Sequence, residues 1–435
     1  MNLEYFIARK VAASGQQSFS RLIIRIAVVA VALSITVMIA AMALIAGFKK
    51  EISEKIFGFW GHIHITDTNI NRSLLDVYPI DINQDFYPSL DTIDQIFYRE
   101  KVSIPILGFD LGYDRITATR GGIRHIQGVA MNPGIIKAKE EIEGIILKGI
   151  GKDFDWEFMQ RYLIEGRKIN MPDTAASSEI LISQQTANRL KAGVGDQFRI
   201  HFVENNEQLI RRFEVCGIYK TGLEEYDQKF ALVDIRKIQQ LLKWPENQVS
   251  SFEVFIDDVD DLLPLTEHIY FDHLPNNLYA ETIKEKLPEI FEWLELQDIN
   301  EIVILSLMLI VALINMVTAL IILILERTNM IGILKAMGSS NWSIQKIFLY
   351  YAAYIIAIGL FWGNVIGIGL CLAQKHFQFI RLSEANYYLS VAPIQLNFFS
   401  IFLLNLGTLI IILICLIIPS YLVTTISPVK AIRFK

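Results

Sequence analysis

Residues 302–346 read IVILSLMLIVALINMVTALIILILERTNMIGILKAMGSSNWSIQK, and the fold of the whole chain turns on them. The first 24, residues 302–325, contain no Asp, Glu, Lys, Arg or His. At 1.5 Å per residue they are long enough to cross a hydrocarbon layer about 30 Å thick, which takes about 20 apolar residues. The run stops at Glu326-Arg327. Beyond it, 328–337 can form a short helix whose apolar edge is Met330, Ile331, Leu334 and Met337. Gly338 stands where a helix end takes a left-handed residue, and Ser340 or Asn341 can cap the helix that follows. A short, half-apolar helix outside the membrane is shaped to dock in a partner's groove. Resting on the lipid surface is the other use of such a helix.

Working outward, three more apolar runs have spanning length. They are residues 26–48, 347–374 and 397–422, the last centred on 398–418 and broken by Pro419. The chain thus divides into a leading segment 1–25, a first span 26–48, a large domain 49–301 and a second span 302–325. A loop 326–346, a third span 347–374, a short loop 375–396, a fourth span 397–422 and a tail 423–435 follow. Ala41-Met42-Ala43 has the A-x-A form of a signal-peptide cleavage site, but the run is longer than a signal core and begins late. Orientation follows the lysines and arginines of the short loops. Ten of them (Arg9, Lys10, Arg21, Arg25, Arg327, Lys335, Lys346, Lys430, Arg433, Lys435) fall on one side and two (Lys375, Arg381) on the other. Both termini are expected in the cytoplasm and residues 49–301 outside it.

That large domain is acidic, with 28 Lys and Arg against 43 Asp and Glu, whereas the rest of the chain has 12 basic residues and three acidic ones. Such a surface excludes nucleic acid as a partner, because phosphate needs a basic face. Strand patterns occur at 61–65, 179–183, 198–202, 213–215 and 252–256, with helices at 184–191 and 235–242 and a polar hairpin turn at 204–207. The expected domain is α+β, with short meanders and helices on one face. Cys216 is its one cysteine, so no disulfide forms within it. His62 and His64 share a strand face and could ligate a metal, although a pair of surface histidines on an edge strand fits the pattern better. No Cys/His cluster has zinc spacing. Residues 149–153 (GIGKD) have the outline of a phosphate loop but lack its first glycine and its Ser/Thr. No catalytic constellation, metal site or cofactor site is expected.

The spans carry no ionisable group, which argues against an ion-driven transporter. Gly359, Gly363 and Gly367 form a double G-x-x-x-G on the third span, for packing within the bundle or across a dimer. Asn315 in the second span is expected to seek a hydrogen bond across helices. From Pro288 an amphipathic helix, with Ile290, Trp293, Leu294 and Leu296 on one side, runs directly into the second span. Such a stiff connection either carries motion or passively joins the two.

The stretch 326–339 (ERTNMIGILKAMGS) resembles the E-x-x-x-x-I-x-I-L-K-A-x-G signature of the FtsX-like permease superfamily, and 426–433 (ISPVKAIR) is similar to its closing P-x-x-A-L-R. Within it, 217–227 (GIYKTGLEEYD), 163–167 (LIEGR), Trp293 and the opening FIARK at 6–10 look like the lipoprotein-releasing (Lol-type) permeases. The resemblance implies a four-helix transmembrane bundle in a bacterial inner membrane, carrying a large periplasmic α+β domain. It implies a non-catalytic subunit, with ATP and Mg bound by a separate P-loop ABC ATPase. That ATPase would meet the coupling helix at Met330, Ile331, Leu334, Lys335, Met337 and Gly338. The implied task is to extract lipoproteins and pass them to a periplasmic carrier, in a complex with a second permease copy or a sister subunit. In the family the first two spans line the lipid-accepting cavity, a region that here holds Met38, Met42, Met308 and Asn315. A carrier-gripping hook would fall near 170–178, with Pro172. The alternatives are a mechanical permease for drug or peptide efflux, one that regulates cell-wall hydrolases, and a ligand-sensing receptor. The receptor lacks any output module, and the pumps usually carry their ATPase on the same chain.

Overall fold

The computed structural model describes Glu4, Phe6 and residues 18–69, 78–104, 109–138, 141–204 and 207–426. The chain forms two compact units. One comprises Met1–Lys50, Glu292–Arg381 and Val391–Lys435, the other Glu51–Phe291 and Leu382–Ser390.

In the first unit, unbroken apolar sequence gives long helices: α1 (Ser18–Trp60), α2 (Pro288–Glu326), α4 (Asn341–Phe377) and α5 (Phe398–Ser420), with the short α3 (Thr328–Ala336) between α2 and α4. All four long helices are long and apolar enough to cross a membrane. Three outlast their apolar cores, α1 beginning before Ile26, α2 at Pro288 and α4 at Asn341, because helical hydrogen bonding continues into the flanks. Ala41-Met42-Ala43 lies well inside α1. The bundle core is built from Val31, Ile35 and Ile39 of α1, Ala312, Met316 and Leu320 of α2, Ile344, Phe348 and Ile355 of α4, and Ile412 and Leu416 of α5. These recur at helical spacing, so each helix turns one stripe inward. Ile314, Phe402 and Ile418 are exposed on the outside. Exposed apolar rows of this extent belong against lipid. At the end of α4, buried Gln374 accepts a hydrogen bond from Ile380 N (2.9 Å) and donates to Ala392 O (3.1 Å), joining the two ends of the loop before α5.

The second unit is α+β. Its strands are β1 (Ile63–Asp67), β2 (Ile80–Asp81), β3 (Phe97–Ile104), β4 (Phe109–Ala118), β5 (Ile123–Ala138), β6 (Glu141–Ile150), β7 (Leu163–Gly166), β8 (Glu179–Ser183), β9 (Gln197–Glu204), β10 (Glu207–Tyr219), β11 (Phe230–Asp234), β12 (Gln248–Val249), β13 (Ser251–Ile256) and β14 (Leu278–Thr282). Ten of them make one mixed sheet in the order β14-β1-β13-β5-β6-β11-β8-β10-β7, with β9 pairing both β10 and β5; β3–β4 and β2–β12 form separate pairs. The expectation of short meanders is corrected. The β9–β10 hairpin lies where the alternation placed it, but β11 pairs parallel with β6 and β8 parallel with β10. Local sequence signals hairpins; it carries no trace of which distant strands pair in parallel. One core gathers Ile180, Ile182, Phe213, Val233 and Ile238, and a second gathers Ile63, Phe252, Val254, Leu262 and Leu265.

Candidate coupling site and membrane bundle

The short helix α3 ends as its sequence dictates. Gly338 takes a left-handed conformation (φ +89°), while Ser339 N donates to Leu334 O and Gly338 N to Lys335 O, both at 3.0 Å. This is a Schellman closure, and it gives the carbonyls of Leu334 and Lys335 their partners. Ser340 Oγ then accepts from Ser343 N (3.2 Å) and starts α4.

The side chains of α3 divide between two faces, which the sequence had left as one set. Ile331 (0% exposed) and Leu334 (9%) are buried in the bundle core, and Met330 packs against it. Lys335 turns to the end of the fourth span, where its Nζ donates to Val423 O (2.7 Å), Ile426 O (2.8 Å) and Thr424 O (3.1 Å). A cation on the last carbonyls of a helix satisfies groups that have no partner of their own and offsets the negative end of its dipole. Burial among those carbonyls lowers the Lys335 pKa. Ile333 (53%), Met337 (70%) and Trp342 (51%) remain exposed, together with Gly338. Ile333 was passed over because the apolar spacing alone did not say which stripe the bundle takes.

The three glycines of α4 face α1. A Cβ on Gly359 would stand 2.7 Å from a Val31 methyl, one on Gly363 2.7 Å from Ile35 Cβ, and one on Gly367 3.2 Å from Thr36 Cα. Thr36 Oγ1 donates to Gly363 O at 3.2 Å, a bond that only such close approach permits. Polar contact between spans occurs elsewhere than expected. Asn315 Nδ2 donates to Val311 O of its own helix (2.9 Å), so the expected bond across helices is corrected; a carbonyl one turn back is always within reach. Asn364 and Asn405 do bridge α4 and α5, each donating its amide to the other's carbonyl oxygen (2.7 and 3.0 Å). This pairing depends on the register of two distant helices, which local sequence does not record.

Among the proposed cavity residues, Met38 is buried, while Met42 and Met308 pack at the edge of the bundle core. A crevice bordered by Ile24, Met316, Leu320, Tyr351 and Ile355 contains none of the four nominated residues.

In the other unit, the segment 217–227 runs from the end of β10 through a turn into the short helix Glu224–Lys229. The Asp227 carboxylate accepts from Thr221 Oγ1 (2.7 Å), Gly222 N (3.0 Å) and Thr221 N (3.1 Å). Burial raises its pKa, against those hydrogen bonds. Gly222 (φ +79°) lies beside Lys55 Nζ, which donates to Tyr388 O at 3.1 Å, and Lys220 pairs with Glu384 at 2.8 Å. The motif therefore holds the loop that joins the third and fourth spans. Nearby, Lys148 and Glu253 form a fully buried pair (2.7 Å), supported by Phe59 O and Gln127. The region 170–178 is pinned where Asn170 N donates to Glu179 and Ser177 N to Asp234.

The surface-histidine reading of His62 and His64 is overturned. Their strand β1 lies between β13 and β14, and His64 is wholly buried beside Trp60. A second layer covers the face that an alternating pattern would leave wet. Burial pushes the His62 pKa down to about 3, and that of His64 well below its usual value. Among the described residues no group of three or more His, Cys, Asp or Glu is placed to hold a metal.

Comparison with known proteins places this geometry. Residues 26–269 match the MacB-like periplasmic core domain, and residues 302–428 match the FtsX-like permease C-terminal model. The chain is similar to the lipoprotein-releasing system transmembrane protein LolC of Neisseria meningitidis (22% identity over 100% of this chain and 98% of the relative). It is similar to LolC of Xylella fastidiosa (20%; 98% and 97%) and to LolE of Haemophilus influenzae (21%; 99% and 99%). Among solved structures, the extracellular domain of the ABC-type transporter YknZ from Gram-positive bacteria aligns at 15% identity over 37% of this chain and 81% of that one, with a TM-score of 0.26.

Proposed function

The chain belongs to the FtsX-like permeases with a MacB-like periplasmic core, and from that premise we propose that it is the membrane subunit of an ABC machine that withdraws lipoproteins from the inner membrane. One observation carries this reading: the likeness to lipoprotein-releasing subunits runs the length of both chains. A partner ATPase supplies the energy, a second permease subunit completes the bundle, and a soluble carrier receives the cargo. Both termini lie in the cytoplasm, and the sheet domain lies in the periplasm.

The physics sets the task. Each buried acyl CH₂ costs about 0.8 kcal/mol to withdraw, so a multiply acylated protein does not leave the bilayer unaided. The ATPase docks on the exposed edge of α3 at Ile333, Met337 and Gly338. Ile331 and Leu334 pass its push into the bundle core, and Lys335 passes it to residues 423–426, just beyond α5. On the other side, the loop 382–390 gripped by the 217–227 motif carries span movement to the sheet domain.

The matching MacB-like core favours a second reading, a mechanical pump for drugs or peptides. Proteoliposomes containing this chain, its ATPase, ATP and a labelled lipoprotein separate the two. Release to soluble carrier that requires both ATP and this chain supports the first reading. Equal release without the chain rejects it.

A further inference from the structure

On the sheet domain two histidines have the geometry of a chelate. The helix Leu262–His268 continues into a single π-helical turn, Ile269–His273. In an α-helix, residues five apart point about 140° away from each other, since each residue turns about 100°. The wider turn closes that gap; such turns are rare and recur at functional sites. Here it brings His268 Nε2 within 3.3 Å of His273 Nε2, with the rings crossed at 82°.

The other nitrogen of His268 settles the chemistry. Nδ1 lies 2.6 Å from Asp272 Oδ2, and in the tautomer that donates its proton there Nε2 presents its lone pair towards His273. A carboxylate behind an imidazole is the usual support for a metal-bound histidine. Two nitrogens held tetrahedrally on zinc at about 2.0–2.1 Å stand about 3.3–3.4 Å apart. The observed separation of 3.3 Å, at which the two nitrogens share a hydrogen bond in the absence of an ion, matches that spacing. A groove bordered by Asp94 and Gln95 runs alongside.

We propose that His268 and His273, with Asp272 orienting His268, bind a zinc-class divalent ion whose remaining positions open to this groove and hold water. The site is independent of the transport reading.

The test uses the purified full chain without a polyhistidine tag, titrated with Zn²⁺ against a chromophoric chelator. One equivalent should bind. H268Q and H273Q should each weaken it at least tenfold, and D272N by about 10–100-fold. Melting curves without zinc should be unchanged in all three, separating ligand loss from unfolding. Zinc binding undiminished in the H268Q/H273Q double variant, or absent from the parent, overturns the proposal.

Discussion

Leu334→Asp and Met337→Asp lie three residues apart on α3 and should fail in opposite ways. Leu334 is 9% exposed and belongs to the bundle core. Losing its burial costs about 1.5–3 kcal/mol. A polar group left there without a partner adds about 1–3 kcal/mol on mutational scales, so the variant should lose about 2.5–6 kcal/mol of stability. Met337 is 70% exposed, and its replacement should change stability by no more than about 0.5 kcal/mol. If the ATPase docks there, truncating a central contact costs about 1–2 kcal/mol, roughly a tenfold weaker complex. Unfolding of the detergent-purified chain measures the first quantity, and co-purification with the ATPase at graded concentration the second. Leu334→Asp should lower the unfolding midpoint; Met337→Asp should leave it in place and lose the ATPase. A stable Leu334→Asp protein would refute the two-faced reading of α3. Full ATPase recovery with Met337→Asp would refute the docking edge.

Gly363→Val should separate α1 from α4, because its Cβ would come within 2.7 Å of Ile35 Cβ and 2.9 Å of Ala32 O. The expected loss is about 1–3 kcal/mol from overpacking, read as a lower unfolding midpoint; an unchanged midpoint contradicts the contact. His62 and His64 supply a pH dependence. Their folded pKa values are depressed, so the unfolded chain takes up protons first as pH falls below about 6.5, and stability present above that value is lost as pH falls, for His62 down towards about 3. Between pH 6.5 and 5 each histidine should remove up to about 2 kcal/mol, at 1.36 kcal/mol per unit. Melting at a series of pH values, with His64→Gln flattening the slope, checks this.

The membrane architecture was legible in the order of residues alone. Four uncharged runs, a domain between the first and second, and a short helix closed by Gly338 follow from composition and spacing, because lipid and helix geometry act on local sequence. Other features depended on partners far along the chain. Lys335 reads as a cytoplasmic cation until the carbonyls of residues 423–426, just beyond α5, meet it, and Asn364 reads as an isolated amide until Asn405 does. The two faces of α3 carry similar apolar residues, and only packing decides that Leu334 turns inward and Met337 outward. His64 sits in an alternating strand that promises a wet face, yet a second layer covers it. His268 and His273, five apart, look unrelated until a π turn aligns them. Periodicity records what each residue prefers from its solvent; which distant group supplies that environment is decided only when the chain closes on itself.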